Sequence, residues 1–414
     1  MNNISIKKYT ENSNHSNGVA TAVDWLGHQL TYTTSLMLEE AVKIVRPFKA
    51  GFQDQCCASF DEICVRVARV ALCIVFSWTL LLGIVGAGLR LLASLARREF
   101  TYIHPTNESI PENRVNQITV RTFNTGMMPE CVSIMNGLRP TRDRIIEVAE
   151  SILEKEDDVI CMQELFHTEA ADYLANQIKT KFPYIVYNVA PRSFGINSGL
   201  MIASKFPIVN TDFWVHKNRG GFEELSNKGT LAVTIQPSKN QTVVLFNSHL
   251  TSDAPKSDAF PEGEKSYREN QIAQIKEQVD NYIDQSTSKH SIIPAVLLTG
   301  DYNIGPLMPI KHETSETFVG TKPHPEWASI KDLMDPLISD DDASATTFDL
   351  ELDKKVGWNK GKLHSWETKP ECLDHIGTSM TDKPTHPIEL LSRKIDSMNG
   401  SSDHLAVAAT FAII

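Results

Sequence analysis

The sequence predicts an α/β protein in which two packed sheets carry helices on their outer faces, behind an N-terminal membrane-spanning helix. Three observations predict it. From about Asn116 onward, short apolar runs with strand character alternate with stretches of helical period. Two of those runs, 229–235 and 242–247, flank a polar turn at 237–240 and read as a hairpin. Strand–helix–strand units mixed with hairpins favour two packed sheets with helices outside. Finally, residues 70–89 contain no charge.

Residues 1–20 are rich in Asn and Ser, a composition that predicts disorder. Residues 21–64 are expected to form a partly helical juxtamembrane region. The uncharged run is flanked by Arg66 and Arg69 before it and by Arg90, Arg97 and Arg98 after it. Roughly twenty apolar residues span a bilayer core as a helix, and flanking arginines can reach the head groups. Residues 65–98 are therefore expected to be a single membrane pass, its orientation left open by basic residues on both sides. Residues 99–115, with Pro105 and Pro111 and no sustained apolar pattern, read as a linker to one large domain over 116–414.

Within that domain, residues 117–123 form a strand ending at Asn124. Ile145, Val148, Ile152 and Leu153 give 141–154 a helical period. A strand over 159–162, a helix over 169–179 and strands over 184–187 and 199–204 follow. Beyond the hairpin come a long helix over 267–283, a strand over 295–298 and another beginning at Leu405.

Charge is unevenly spread. Residues 1–104 hold 10 basic and 8 acidic side chains, leaving 30 basic and 43 acidic for the remainder. An acidic domain offers no general attraction for a polyanion, which disfavours a nucleic-acid partner. Seven cysteines, an odd number without metal-ligand spacing, do not suggest a disulfide framework, and no Cys/His cluster in the sequence supports zinc.

Polar clusters stand at the ends of the predicted strands: Gln163-Glu164, Ser248-His249, Gly300-Asp301-Tyr302-Asn303, Leu373-Asp374-His375 and Ser402-Asp403-His404. A sheet is rigid at its strand ends, where the backbone leaves it for a solvent-facing loop, so chemical groups gather there. Singly each cluster is ordinary: Gly-Asp is turn chemistry, and an Asp-His pair is more often structural. Their joint occurrence in one order is not ordinary.

That order, Asn124, Gln163-Glu164, His249, Asp301-x-Asn303, Asp374 and Ser402-Asp403-His404, resembles the endonuclease/exonuclease/phosphatase superfamily over most of the chain beyond Asn116. Within it the text is most similar to the neutral sphingomyelinase branch. The string from Asn197-Ser198-Gly199 to Ser204-Lys205-Phe206-Pro207-Ile208 carries that likeness. So do Asn227-Lys228-Gly229, then Thr347-Phe348-Asp349, Asn359 and Leu373-Asp374-His375-Ile376. Position 375 departs from the pattern, with His where an aromatic residue is usual, and a second His beside Asp374 competes for its hydrogen bond.

The resemblance implies a four-layer α/β sandwich with the active site at one end, in a domain that is then catalytic. It implies Glu164 and Asn124 as metal ligands; oxygen ligands, few in number, suit Mg²⁺, with Mn²⁺ the alternative. It implies His404 as general base with a pKa near neutrality and Asp374 as its orienting carboxylate. Asp301, Asn303, His249 and Asp403 would orient water and donate to phosphoryl oxygens, and Lys228 and His249 would hold substrate phosphate. The expected substrate is a membrane phospholipid, sphingomyelin, cleaved to ceramide and phosphocholine by an enzyme anchored in the bilayer; no protein partner is evident. A nuclease and a phosphoinositide phosphatase on the same scaffold remain open. The phosphatase would need more cations than Lys228, Arg192 and Arg219.

Overall fold

The computed structural model of the chain describes residues 18–45, 60–94, 96, 99–105, 110–129, 132–133, 139–190, 196–217, 223, 226–252, 266–290, 293–311, 318–338 and 372–414. Arg192, Arg219, Phe222, Trp358, Asn359 and the 347–349 string lie outside them.

Two helices lead the chain: α1 (Gly18–Val45) and α2 (Phe60–Ser94). The described part of the Asn- and Ser-rich terminus, Gly18 onward, is already helix. The 99–115 stretch is not all linker, because Thr101–Ile103 forms β1.

One sheet has seven strands. Its members are β1, β2 (Gln117–Asn124), β3 (Val159–Gln163), β4 (Tyr184–Tyr187), β5 (Met201–Ser204), β14 (Ile388–Asp396) and β15 (Ala406–Ile413). They run in the order β1-β4-β5-β3-β2-β15-β14. The other has six, β6 (Ile208–Val215), β7 (Gly229–Ser238), β8 (Gln241–His249), β9 (Ala295–Asp301), β12 (Met334–Asp335) and β13 (Asp374–Ser379), ordered β12-β13-β9-β8-β7-β6. A separate hairpin joins β10 (Leu307–Lys311) to β11 (Phe318–Pro323). Each large sheet is mixed: β2–β3 and β8–β9 are parallel and their other pairings antiparallel.

Strand periodicity sorts side chains into three apolar clusters. Ile118, Val120, Val159 and Cys161 of the first sheet meet Leu231, Val233, Leu245 and Leu297 of the second. On the outer face of the first sheet, Phe123, Ile160 and Met162 pack under α3 (Thr141–Leu153) and α4 (Thr168–Ile178). On the outer face of the second, Val244, Phe246, Val296 and Leu298 pack under α5 (Tyr267–His290) and α6 (Trp327–Leu333). Partly buried Trp214 packs here as well, stacked on Phe246. The layers are helix, sheet, sheet, helix, and this is a sandwich of two mixed sheets.

The expected single-pass membrane helix is not found. Among the described residues, no helix is long and apolar enough to cross a membrane. The 70–89 run is instead part of α2, which lies against α1. A Cβ at Gly27 would meet the Gly86 carbonyl oxygen at 2.6 Å, and the Thr34 hydroxyl donates to the Thr79 carbonyl. Arg90, expected to reach lipid head groups, is buried, with its guanidinium 3.3 Å from Asp24 and 2.7 Å from Glu169 at the start of α4. Hydropathy counts apolar residues and cannot register this docking of the helix on the domain.

A candidate metal and acid–base centre

The strand period explains why distant residues share one cleft. In β2, Ile118 and Val120 face the opposing sheet, and two further steps bring Asn124 to that same face at the strand end. The same alternation carries Leu245, Asn247 and His249 along β8, and Leu297 and Asp301 along β9. Asp374 opens β13 two residues before the inward Ile376. Register then sets neighbours: His249 pairs with Asp301, Asp374 with Asp301, and Asn124 with Gln163.

Between the sheets, Gln163 and Asn247 form the floor. The Gln163 amide donates to Asn247 Oδ1 (2.6 Å) and to the Thr122 hydroxyl (2.9 Å). Asn247 Nδ2 donates in turn to the Met162 carbonyl (2.9 Å) across the sandwich. Asn247 escaped the sequence reading, although its position two residues before His249 on one strand was the available signal.

Above that floor the predicted residues assemble. Asn124 Nδ2 donates to Asp301 Oδ2 at 2.8 Å, while its Oδ1 accepts from the Gly126 amide. His249 Nε2 lies 3.7 Å from Glu164 and 3.7 Å from Asp301. His404 Nδ1 is 2.8 Å from Asp374 Oδ2, and its Nε2 is 4.0 Å from Asp301 Oδ2. The Asn303 backbone N–H donates to Asp301 Oδ1 (2.9 Å), and its side chain donates to the Leu250 carbonyl. Ser402 ties the last loop to β2 by donating to the Asn124 carbonyl (2.7 Å), which brings Asp403 and His404 to the cleft.

His375 does not compete for Asp374. It points to the outer face of its strand, with Nε2 2.7 Å from the Ile304 carbonyl and its ring against Trp327.

Two local conformations hold the carboxylates in place. Glu164 and Asn303 have φ of 57° and 52°, values that are uncommon for side-chain-bearing residues, above all for Glu, and that concentrate at functional sites. Gly300, with φ of +149°, leaves no room for a Cβ, which would sit 2.1 Å from the Ser248 carbonyl oxygen. This close approach lets β9 bring Asp301 alongside His249.

Lys228 is buried before β7, with Nζ 3.1 Å from His249 Nε2 and 2.7 Å from Glu223. Glu223, which reads as surface charge in the sequence, also accepts from the Ser252 backbone N–H (3.0 Å) and hydroxyl (2.8 Å). Burial raises its pKa, but Lys228 and the two Ser252 hydrogen bonds together hold the carboxyl below its usual range. Burial and then Lys228 keep His249 well below the ordinary imidazole value, so it is neutral and its Nε2 accepts from the lysine.

The electrostatics of the centre are those of crowded buried acids. Burial and then Asp374 push Asp301 up to about 7. Burial and then Asp403 raise Glu164. For His404, burial opposes protonation, but Asp374 with Asp301 and Asp403 prevails and holds the imidazole well above its usual value. The sequence expectation of near-neutrality left out the number of carboxylates facing this ring. Groups of three side chains here, Glu164–His249–Asp301 and Asp301–Asp374–His404, present ligand atoms within 4.8 Å of one another.

The sequence profile of the Endonuclease/Exonuclease/phosphatase family matches residues 122–404. A sphingomyelinase of Dictyostelium discoideum is 30% identical over 173 residues, 36% of this chain and 37% of that protein. Sphingomyelin phosphodiesterase 3 of Homo sapiens is 26% identical over 157 residues, covering 35% of this chain and 24% of that protein. The matched region thus spans a quarter to somewhat over a third of these relatives' lengths. Among solved structures, a beta toxin from Staphylococcus aureus superposes with a TM-score of 0.50 at 20% identity, covering 70% of this chain and 99% of the toxin. That likeness is one of fold.

Proposed function

This chain belongs to the endonuclease/exonuclease/phosphatase family, and from that premise we propose that it is a divalent-metal-dependent phosphodiesterase acting on a phospholipid. Sphingomyelin, cleaved to ceramide and phosphocholine, is the substrate we favour, because relatives named as sphingomyelinases share the matched region. The observation that carries the reading is the convergence of Asn124, Glu164, Asp301, Asp374 and His404, from five separate strand ends, on one cleft.

The residues present fit a bound dication. Asp301 is buried and Glu164 partly so, and both have raised pKa values, a charge arrangement that a cation would relieve. Glu164 with Asn124 would hold the ion, with Asp301 beside them. A mainly oxygen donor set suits Mg²⁺, and Mn²⁺ nearly as well; a crystal structure of the Staphylococcus aureus beta toxin holds magnesium. Bound there, the ion would neutralise phosphoryl charge and acidify water.

The chain's own groups supply the rest. The carboxylate of Asp374 accepts a hydrogen bond from the Nδ1–H of His404, which fixes the tautomer and leaves Nε2 facing the cleft. Nε2 then accepts the proton of the attacking water. Lys228, Asn303 and His249 would hold the phosphoryl oxygens, and the charge of Asp403 acts on both Glu164 and His404.

The test is a comparison of sphingomyelin vesicles, phosphoinositide vesicles and plasmid DNA in one buffer containing Mg²⁺. Phosphocholine release from sphingomyelin, abolished by chelator, is expected. Nicked DNA or inorganic phosphate in its place would overturn the substrate reading and leave the fold standing.

A further inference from the structure

A second group of metal-ligand side chains lies away from the cleft, where the helix pair meets the domain. His28 projects from α1, His167 precedes α4, and Glu169 lies in its first turn. Their ligand atoms all fall within 4.8 Å of one another. His28 Nδ1 is 3.0 Å from Glu169 Oε1, and His167 Nδ1 is 3.5 Å from Glu169 Oε2. The two imidazole rings meet edge to face at 6.2 Å.

Two of these atoms are in an expensive state. His167 is 8% exposed and Glu169 1%, and neither His167 Nδ1 nor Glu169 Oε2 makes a hydrogen bond, although they face each other. A buried carboxylate oxygen and an imidazole nitrogen without a donor cost free energy unless something electrophilic sits between them. Arg90 borders the group: it binds Glu169 at 2.7 Å and Asp24 at 3.3 Å, and its Nη1 lies 3.5 Å from His28 Nδ1.

We propose that His28, His167 and Glu169 bind a transition-metal dication, Zn²⁺ by their chemistry, and that the ion fastens the N-terminal helix pair to the catalytic domain. Two imidazoles and one carboxylate form a borderline donor set, unlike the oxygen-rich cleft, and zinc takes such ligands with an open fourth position. His28 Nδ1, His167 Nδ1 and Glu169 Oε2 are the ligating atoms. Arg90 stays on Glu169 Oε1 and Asp24, as the outer hydrogen bond that orients a ligating carboxylate.

The experiment uses the full chain and Zn²⁺ alone as probe. Glu164→Gln weakens the cleft as a competing site, and metal content is measured after equilibrium dialysis. We expect one zinc per chain in Glu164→Gln, and an affinity at least ~100-fold weaker when His28→Ala is added, since even outer partners of a ligand are worth ~10–100-fold. Zinc should raise the melting temperature of the first protein and not of the second. Equal zinc content in both would overturn the proposal. Should His28→Ala fold poorly, His28→Cys loaded with Co²⁺ gives an independent reading. A thiolate-to-cobalt charge-transfer band, absent from the parent, is expected from direct ligation, and its absence would equally overturn the site.

Discussion

His404 illustrates how a single residue's chemistry depends on its neighbours. Without a cation in the cleft, Asp374, Asp301 and Asp403 hold its proton, and a protonated imidazole cannot act as a base. Mg²⁺ is therefore expected to lower the titration midpoint of this ring, read by imidazole resonances with and without chelator; an unmoved midpoint would separate the ion from the base. His404→Ala should lower phosphocholine release by ~10²–10⁴-fold, the usual worth of a positioned acid–base group. Glu223 acts through another residue. Its carboxylate holds the Lys228 ammonium beside His249, so Glu223→Gln should raise KM about tenfold, the loss of one charged hydrogen bond, with a smaller change in kcat, and should also lower the melting temperature because the ion pair stabilises the fold. Of these side chains, His404 and Lys228 were legible in the sequence through their motifs. Glu223 was not, because nothing local distinguishes a solvated glutamate from one bent onto a lysine.

At the scale of elements, the strand ends do the positioning. Parallel pairing of β8 with β9 sets His249 against Asp301, and antiparallel pairing of β9 with β13 sets Asp374 on the other side of the same carboxylate. A one-residue slip in β9 would turn Asp301 to the helical face. Gly300 guards that register, because an added Cβ would meet the Ser248 carbonyl at 2.1 Å and the backbone would have to move. Gly300→Ala is expected to cost about 1–3 kcal/mol in denaturant unfolding and to lower activity beyond the loss of folded protein. Wild-type stability in that variant would show that β9 has slack here. Most inner strands were readable as short apolar runs. The edge strands β1, β6 and β14 were not, since they are short or half-exposed and carry no sustained apolar run.

For the whole molecule, burying several acids together makes stability depend on pH and on metal. Asp301 titrates near 7 in the folded protein and near ~4 in an unfolded chain. The folded state thus holds a proton that the unfolded chain has already released. Its stabilising effect is full below ~4 and is lost as pH rises through about 7. His404, raised in the same way, adds a loss above its own unfolded value. In chelator the melting temperature should therefore fall from pH 5 to pH 8, and saturating Mg²⁺ should flatten the slope; a rising curve in chelator would contradict the burial of these groups. The membrane pass expected from hydropathy belongs to this scale too. Whether an apolar helix packs on a neighbour is decided by surfaces far away in sequence, here Thr34 and Gly27 on α1 and Glu169 on α4.

Alternation, turns and the order of polar clusters at strand ends determined the sandwich class, most strand positions and the membership of the cleft. Those signals are local, or repeat with a fixed period, so the linear chain carries them. Tertiary structure alone decided the protonation of His404, the tether on Lys228, the turning away of His375 and the fate of the apolar N-terminal helix. Each depends on side chains brought within a few ångströms from distant parts of the chain, where burial and charge act through space.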